Sequence, residues 1–204
     1  MTEPAGAAPP QDGRTARRDR NREAVLDAVL ELFRENPLTP SPADVAERSG
    51  VSRRSVQRYF DDMDALVRAA MVRHLERVEH LFALEDVGVG PLPQRIERIV
   101  DARLRLYEAV APMARAALLR ARANPLIAER LRQGRARLRD QVGAMFAPEL
   151  AALPADGAED VAAALDVLLG FEALEHLVQV RDLDEPASRR VLVRAVGSLL
   201  AVPG

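Results

Sequence analysis

The stretch from Ser41 to Phe60 constrains this chain more than any other. It opens Ser41-Pro42-Ala43-Asp44, runs to Gly50, and starts again at Ser52. Ser41 followed by Pro42 predicts a helix start, because a side-chain oxygen caps free amides and proline at the first helical position forfeits nothing. Asp44, three residues on, is a weak version of the reciprocal cap. Gly50 permits positive φ and therefore a helix end, and Ser52 caps a second short helix. Val45, Ala46, Val51, Val56 and Phe60 supply apolar groups for a small shared core. Two short helices around a glycine turn form a helix-turn-helix, a motif whose second helix enters a DNA major groove.

The second helix carries Arg53, Arg54 and Arg58 with Ser55, Gln57 and Tyr59, and no acid. A solvated helix usually mixes both signs of charge, so an acid-free run is informative. Arginine bonds two acceptors on guanine, glutamine bonds two groups on adenine, and serine and tyrosine reach phosphates. The plain alternative is an exposed basic turn with no partner.

Val45-Ala46, then Ser49-Gly50-Val51-Ser52, then Tyr59-Phe60, then Asp62 to Leu66 resemble the DNA-binding domain of the TetR family of transcriptional regulators. The motif resemblance covers roughly residues 14–70, and chain length with an all-helical remainder extends it loosely to the whole. It implies a homodimer on a palindromic double-stranded DNA operator, usually released when a small molecule enters a second domain. By position it implies that Arg53, Arg54 and Ser55 read bases, and that Gln57, Arg58 and Tyr59 face phosphates. Gln57 stands where the family commonly has Tyr, which alters the contact made there. Met63 stands where Lys is common, which removes a phosphate contact and shifts weight to the N-terminal arginines.

The charge distribution agrees with a localised basic contact. Residues 14–60 hold 10 Arg and 7 acids, whereas 61–204 hold 19 Arg and 22 acids and residues 1–13 contribute −2, within a net charge of −2. Arg17 and Arg18 lie in a basic run at the start of the first helix, where they could follow phosphates or simply be solvated. Ser41 stands at the start of the second helix and joins the candidate DNA-contacting residues. The chain has no Cys, which excludes a disulfide framework, a thiolate nucleophile and a Cys-based zinc site. No metal site or cofactor is expected. It has neither an apolar run long enough to span a membrane nor a secretory pattern at its start, so a cytoplasmic protein is expected.

Helical periodicity continues throughout, without a strand pattern, a repeat or a phosphate-binding glycine loop. The expectation is an all-α fold of about nine helices: a disordered arm over 1–13, a three-helix helix-turn-helix domain over 14–61, and a helical effector-binding and dimerisation domain over 62–204. Helices are expected over 15–35, 63–83, 94–110, a short one between Pro112 and Pro125, then 126–146, 158–180 and 186–202, with a linker over 148–157. The helix over 63–83 would link reader and second domain as a lever. The one over 158–180 carries two apolar arcs, Leu165, Leu168 and Leu169 against Val167, Phe171, Leu174 and Val178. A second buried side needs a second partner, so the two C-terminal helices are expected to pair with those of a second copy.

His74, Arg103, Tyr107, Glu172 and His176 are polar residues set within apolar arcs. Convergence of their helices would line a small-molecule site for an apolar or aromatic effector, with Arg103 pairing an acidic group. The structural alternative pairs Arg103 with Glu172 and Tyr107 with a backbone carbonyl, and admits no ligand. A ligand-released repressor is therefore expected, a dimeric DNA-binding protein without an effector is the alternative, and an all-α enzyme is distant. The residues three before His74, His80 and His176 are Met71, Arg77 and Ala173, so the paired Glu-x-x-His motifs of a di-iron bundle are absent.

Overall fold

The computed structural model describes residues 13–36, 38 and 40–201 of the chain. Of the arm expected over 1–13, only Gly13 falls within them, and Val202 at the end of the last expected helix falls outside. Among the described residues ten α-helices occur with two short tighter or wider turns, and there is no strand. No described helix is long and apolar enough to cross a membrane. The chain divides into two compact units, and the boundary falls between His74 and Leu75. That boundary lies inside a helix rather than at its start.

The first unit holds α1 (Gly13–Glu35), α2 (Pro42–Ser49), α3 (Arg53–Tyr59) and the beginning of α4 (Met63–Val78). Its core gathers Val25, Val29 and Phe33 of α1 with Val45, Val56, Leu66 and Val67, each at most 3% exposed. Polar ties secure the packing. Arg48 of α2 donates to Glu35 of α1 at 2.9 Å and lies 3.5 Å from Glu31. Arg73 of α4 pairs with Glu23 and, at 3.1 Å, with Asp27. This embrace of α1 explains why α4 belongs to the first unit as far as His74. Beyond Val78 the chain tightens into a 3-10 turn, Glu79–Phe82, instead of continuing to residue 83 as an α-helix. The Gln141 amide donates to the Phe82 carbonyl at 2.7 Å, occupying an acceptor at that end.

The second unit is built on α5 (Leu92–Ala121), with α6 (Pro125–Met145), α7 (Ala147–Ala151), α8 (Ala155–Leu168), α9 (Phe171–Glu175) and α10 (Glu185–Leu200) around it. Three expectations are corrected here. Pro112 does not end a helix, because α5 runs through it for 30 residues. Proline removes one amide bond and crowds the preceding turn, but buried Ala111, Met113, Ala116 and Ala117 hold the chain on its path. The linker expected over 148–157 is largely helical, since α7 occupies part of it and α8 begins at Ala155. The helix expected over 158–180 is broken at Leu169-Gly170 and ends in a π turn, His176–Val180. A Cβ on Gly170 would stand 3.0 Å from the Asp166 carbonyl oxygen, a tight approach, so the break favours glycine. The break also resets the helical phase. Leu174 thereby joins Leu165 and Leu169 in one core with Ile99, Met145, Phe146, Leu192 and Val196, rather than facing the opposite way. Val167 remains 71% exposed.

Candidate nucleic-acid interface

The cap of α2 is a full reciprocal pair. The Asp44 amide donates to Ser41 Oγ at 3.2 Å, and the Ser41 amide donates to the Asp44 carboxylate at 2.8 Å. The Ser41 amide first, then the Ser41 side chain, hold the Asp44 carboxyl below the usual range, with a nearby Arg53 acting the same way. Gly50 takes φ +67°, the left-handed turn that only glycine adopts without strain. Ser52 then caps α3, accepting from the Ser55 amide at 3.3 Å. The turn angle and both helix starts are thus determined by four residues.

Of the seven residues of α3 only Val56 is buried. Arg53, Arg54, Gln57 and Arg58 are exposed, Ser55 and Tyr59 are half-buried, and Ser41 is exposed at the start of α2. Among the described residues no carboxylate pairs with Arg53, Arg54 or Arg58. The Arg58 guanidinium lies 5.4 Å from the centre of the Tyr59 ring. Arg17 and Arg18 are exposed on the first turns of α1, which carry no acid in the opening turn. An outward two-turn helix of unneutralised arginines, with further arginines on the helix beside it, presents donors for an anionic surface. One α1 contact escaped the sequence reading: the Arg22 guanidinium covers the Phe60 ring at 5.1 Å. Only tertiary packing brings it there, so no local pattern marks it.

The five residues expected to line an effector site have different surroundings. His74 is buried in the first unit. The other four belong to the second unit, where Arg103 and Tyr107 are buried and Glu172 and His176 are exposed. Arg103 does not pair with Glu172. Its guanidinium donates to Gln141 Oε1 at 2.8 Å and to the Leu138 carbonyl at 2.9 Å, while Nε has no hydrogen-bond partner. Burial lowers its pKa to about 10, with Asp166 opposing the shift. Glu172 pairs with Arg135 on the surface. Tyr107 bonds no backbone carbonyl and instead donates to Glu175 at 2.7 Å. Arg115 also grips Glu175, at 2.7 and 3.0 Å. Burial, then the Glu175 carboxylate, pushes the Tyr107 phenol up to about 12. An open groove of about 550 Å³ lies beside α6, lined by Val87, Gln133, Arg137, Asp140 and Gln141 with two alanines. None of the five lines it, and Arg103 stands behind Gln141.

Fold and site together define an all-α protein with an N-terminal helix-turn-helix. Residues 25–70 match the family described as bacterial regulatory proteins, tetR family. The HTH-type transcriptional repressor LfrR of Mycolicibacterium smegmatis is 34% identical over 91 residues, which cover 44% of this chain and 47% of that protein. The chain therefore spans about half the length of this curated relative. A tetR-family transcriptional regulator from Streptomyces coelicolor has the same fold, with a TM-score of 0.64 at 20% identity over 89% of this chain and 80% of that one. So does a transcriptional regulator from Rhodococcus sp. Rha1, with a TM-score of 0.62 at 23% identity over 91% of this chain and 99% of that one. The family match is to the helix-turn-helix segment, residues 25–70, and the likeness to the solved structures extends the fold over the rest of the chain.

Proposed function

We propose that this protein is a cytoplasmic DNA-binding transcriptional regulator that reads a palindromic operator as a homodimer. The observation that carries the reading is the outward, acid-free face of α3, where Arg53, Arg54 and Arg58 have no carboxylate partner among the described residues. Arg53, Arg54 and Ser55 read bases; Gln57, Arg58, Tyr59, Ser41, Arg17 and Arg18 engage phosphates. The LfrR relative is a repressor, and repression is the sense proposed here. The two C-terminal helices α8 and α10 supply the dimer contact, a reading supported by the exposure of Val167 and Val191.

Selecting fragments of the source genome on the purified chain tests this directly. Retained fragments should share an inverted repeat whose half-sites lie about one helical turn apart. Retention no better than that of unrelated duplex counts against the reading.

Release by a small effector in the second unit completes the proposal. Its support is the buried guanidinium of Arg103, hydrogen-bonded to an amide and a backbone carbonyl and to no carboxylate, close behind the α6 groove, with Tyr107 as a second polar group on α5. The effector class is apolar or aromatic with an acidic group. A thermal-shift screen of aromatic carboxylates should find compounds that raise the melting point and weaken duplex binding, since a ligand selective for the folded state stabilises it. Stabilisation without any change in DNA affinity would favour a dimeric DNA-binding protein that has no effector.

A further inference from the structure

We infer that Gln141 of α6 is the gate of the groove beside that helix, and that an acidic ligand reaches the buried Arg103 guanidinium only by displacing the Gln141 side chain. The inference rests on the effector reading above and adds the residue that controls entry. Separate observations meet at Gln141. It lines the groove. Its Oε1 accepts from Arg103 at 2.8 Å, and its Nε2 donates to the Phe82 carbonyl at 2.7 Å. Arg103 is 3% exposed and does not line the groove itself.

The partners determine how the amide lies. A guanidinium only donates and a carbonyl only accepts, so the side-chain oxygen faces Arg103 and the nitrogen faces Phe82. Both atoms belong to one planar amide, so neither bond is given up without disturbing the other. The second acceptor of Arg103, the Leu138 carbonyl, is also neutral. A carboxylate in place of Oε1 makes the stronger, charge-assisted bond. The groove favours one orientation for a ligand that carries it. Asp140 is exposed on the wall and repels an anion left near the surface, while Arg137 is already paired with Glu79 and lies 5.4 Å from the centre of the Phe82 ring. The acid therefore points inward to Arg103, and an apolar body lies along Val87, Ala136 and Ala144. Seating it turns the Gln141 amide away, and the Phe82 carbonyl loses its donor at the end of the 3-10 turn Glu79–Phe82.

The test uses the full chain, with 2-naphthoate as the probe and 2-naphthamide as its neutral counterpart. Affinity is read by calorimetry, and the turn by hydrogen exchange over residues 79–83. In the wild-type chain 2-naphthoate should bind about ten-fold tighter than 2-naphthamide and quicken exchange over 79–83. Gln141→Leu removes the competing acceptor, so it should bind 2-naphthoate about ten-fold tighter than wild type. Gln141→Glu places a carboxylate on Arg103 from within. It should bind 2-naphthoate about ten-fold more weakly, and its 79–83 exchange should be fast without ligand, since a carboxylate cannot donate to Phe82. A merely structural Gln141 would shift the affinity of both variants in one direction. Losses of affinity in both, or wild-type exchange over 79–83 in Gln141→Glu, overturn the inference. Should Gln141→Leu fail to fold, Gln141→Glu decides alone, because its exchange signature needs no ligand. If 2-naphthoate binds all three chains alike, the gate falls while the effector reading stands; if it binds none of them, the acidic-effector reading falls as well.

Discussion

The arginines of α3 and those of α5 are the same residue in opposite circumstances. On α3, Arg53, Arg54 and Arg58 are exposed, and none of them forms an ion pair among the described residues. On α5, Arg95 is 5% exposed and Arg103 is 3% exposed, and each is enclosed by acceptors. Arg95 donates to the Gly90 carbonyl at 3.0 Å, the Met145 carbonyl at 2.7 Å and Glu149 at 2.8 Å, tying the start of α5 to the junction of α6 and α7. One set is spent inside the protein, and the other is left over for a partner. In a chain whose 29 basic residues are all arginine, abundance identifies nothing, and the gathering of acceptor-free arginines on one short helix does.

The largest expected effect lies on the enclosed side. Arg95→Ala leaves Glu149 and the Met145 carbonyl without their donor and should lower stability by about 3 kcal/mol in urea denaturation. A loss below about 1 kcal/mol would erase the distinction between the two sets. Arg54→Ala should do the reverse, weakening the selected duplex about ten-fold or more while its melting temperature stays at the wild-type value. Gly50→Ala should cost about 1 kcal/mol of stability, because the +67° φ is strained for any side chain even though the space around it is open.

The smallest effect concerns pH. Arg95 holds the Glu149 carboxyl below its ordinary range. A depressed folded-state pKa contributes stability above the unfolded value of about 4.5, and that contribution is lost as pH falls. Glu149→Gln should therefore flatten the acid limb of the stability profile and lower stability at neutral pH. An unchanged acid limb would show that the pair contributes nothing on folding.

Legibility from sequence follows the same division. The start of α2, the turn at Gly50 and the cap of α3 were readable because each depends on residues within three positions of one another. The capping box came out stronger than its short Asp44 side chain suggested, with both reciprocal bonds made. The course of α5 through Pro112 was not readable, since burial on both sides of the proline overrides its local preference. Nor was the break at Gly170, where a carbonyl four residues back favours glycine. Because the break alters phase, it also misdirected the reading of Leu174. The spacing marks Arg103 as a cation within an apolar arc, but its acceptors are an amide and a backbone carbonyl on another helix. The Tyr107, Arg115 and Glu175 cluster joins residues up to 68 positions apart, which no periodicity encodes.

The brevity of α3 has a consequence for how the protein meets its target. A helix of two turns with Val56 as its single buried residue stores little cooperative strength of its own, so its amides should trade hydrogen for deuterium sooner than those of α1. Contact with a polyanion would slow that trade, making the exchange rate of residues 53–59 a direct gauge of occupancy.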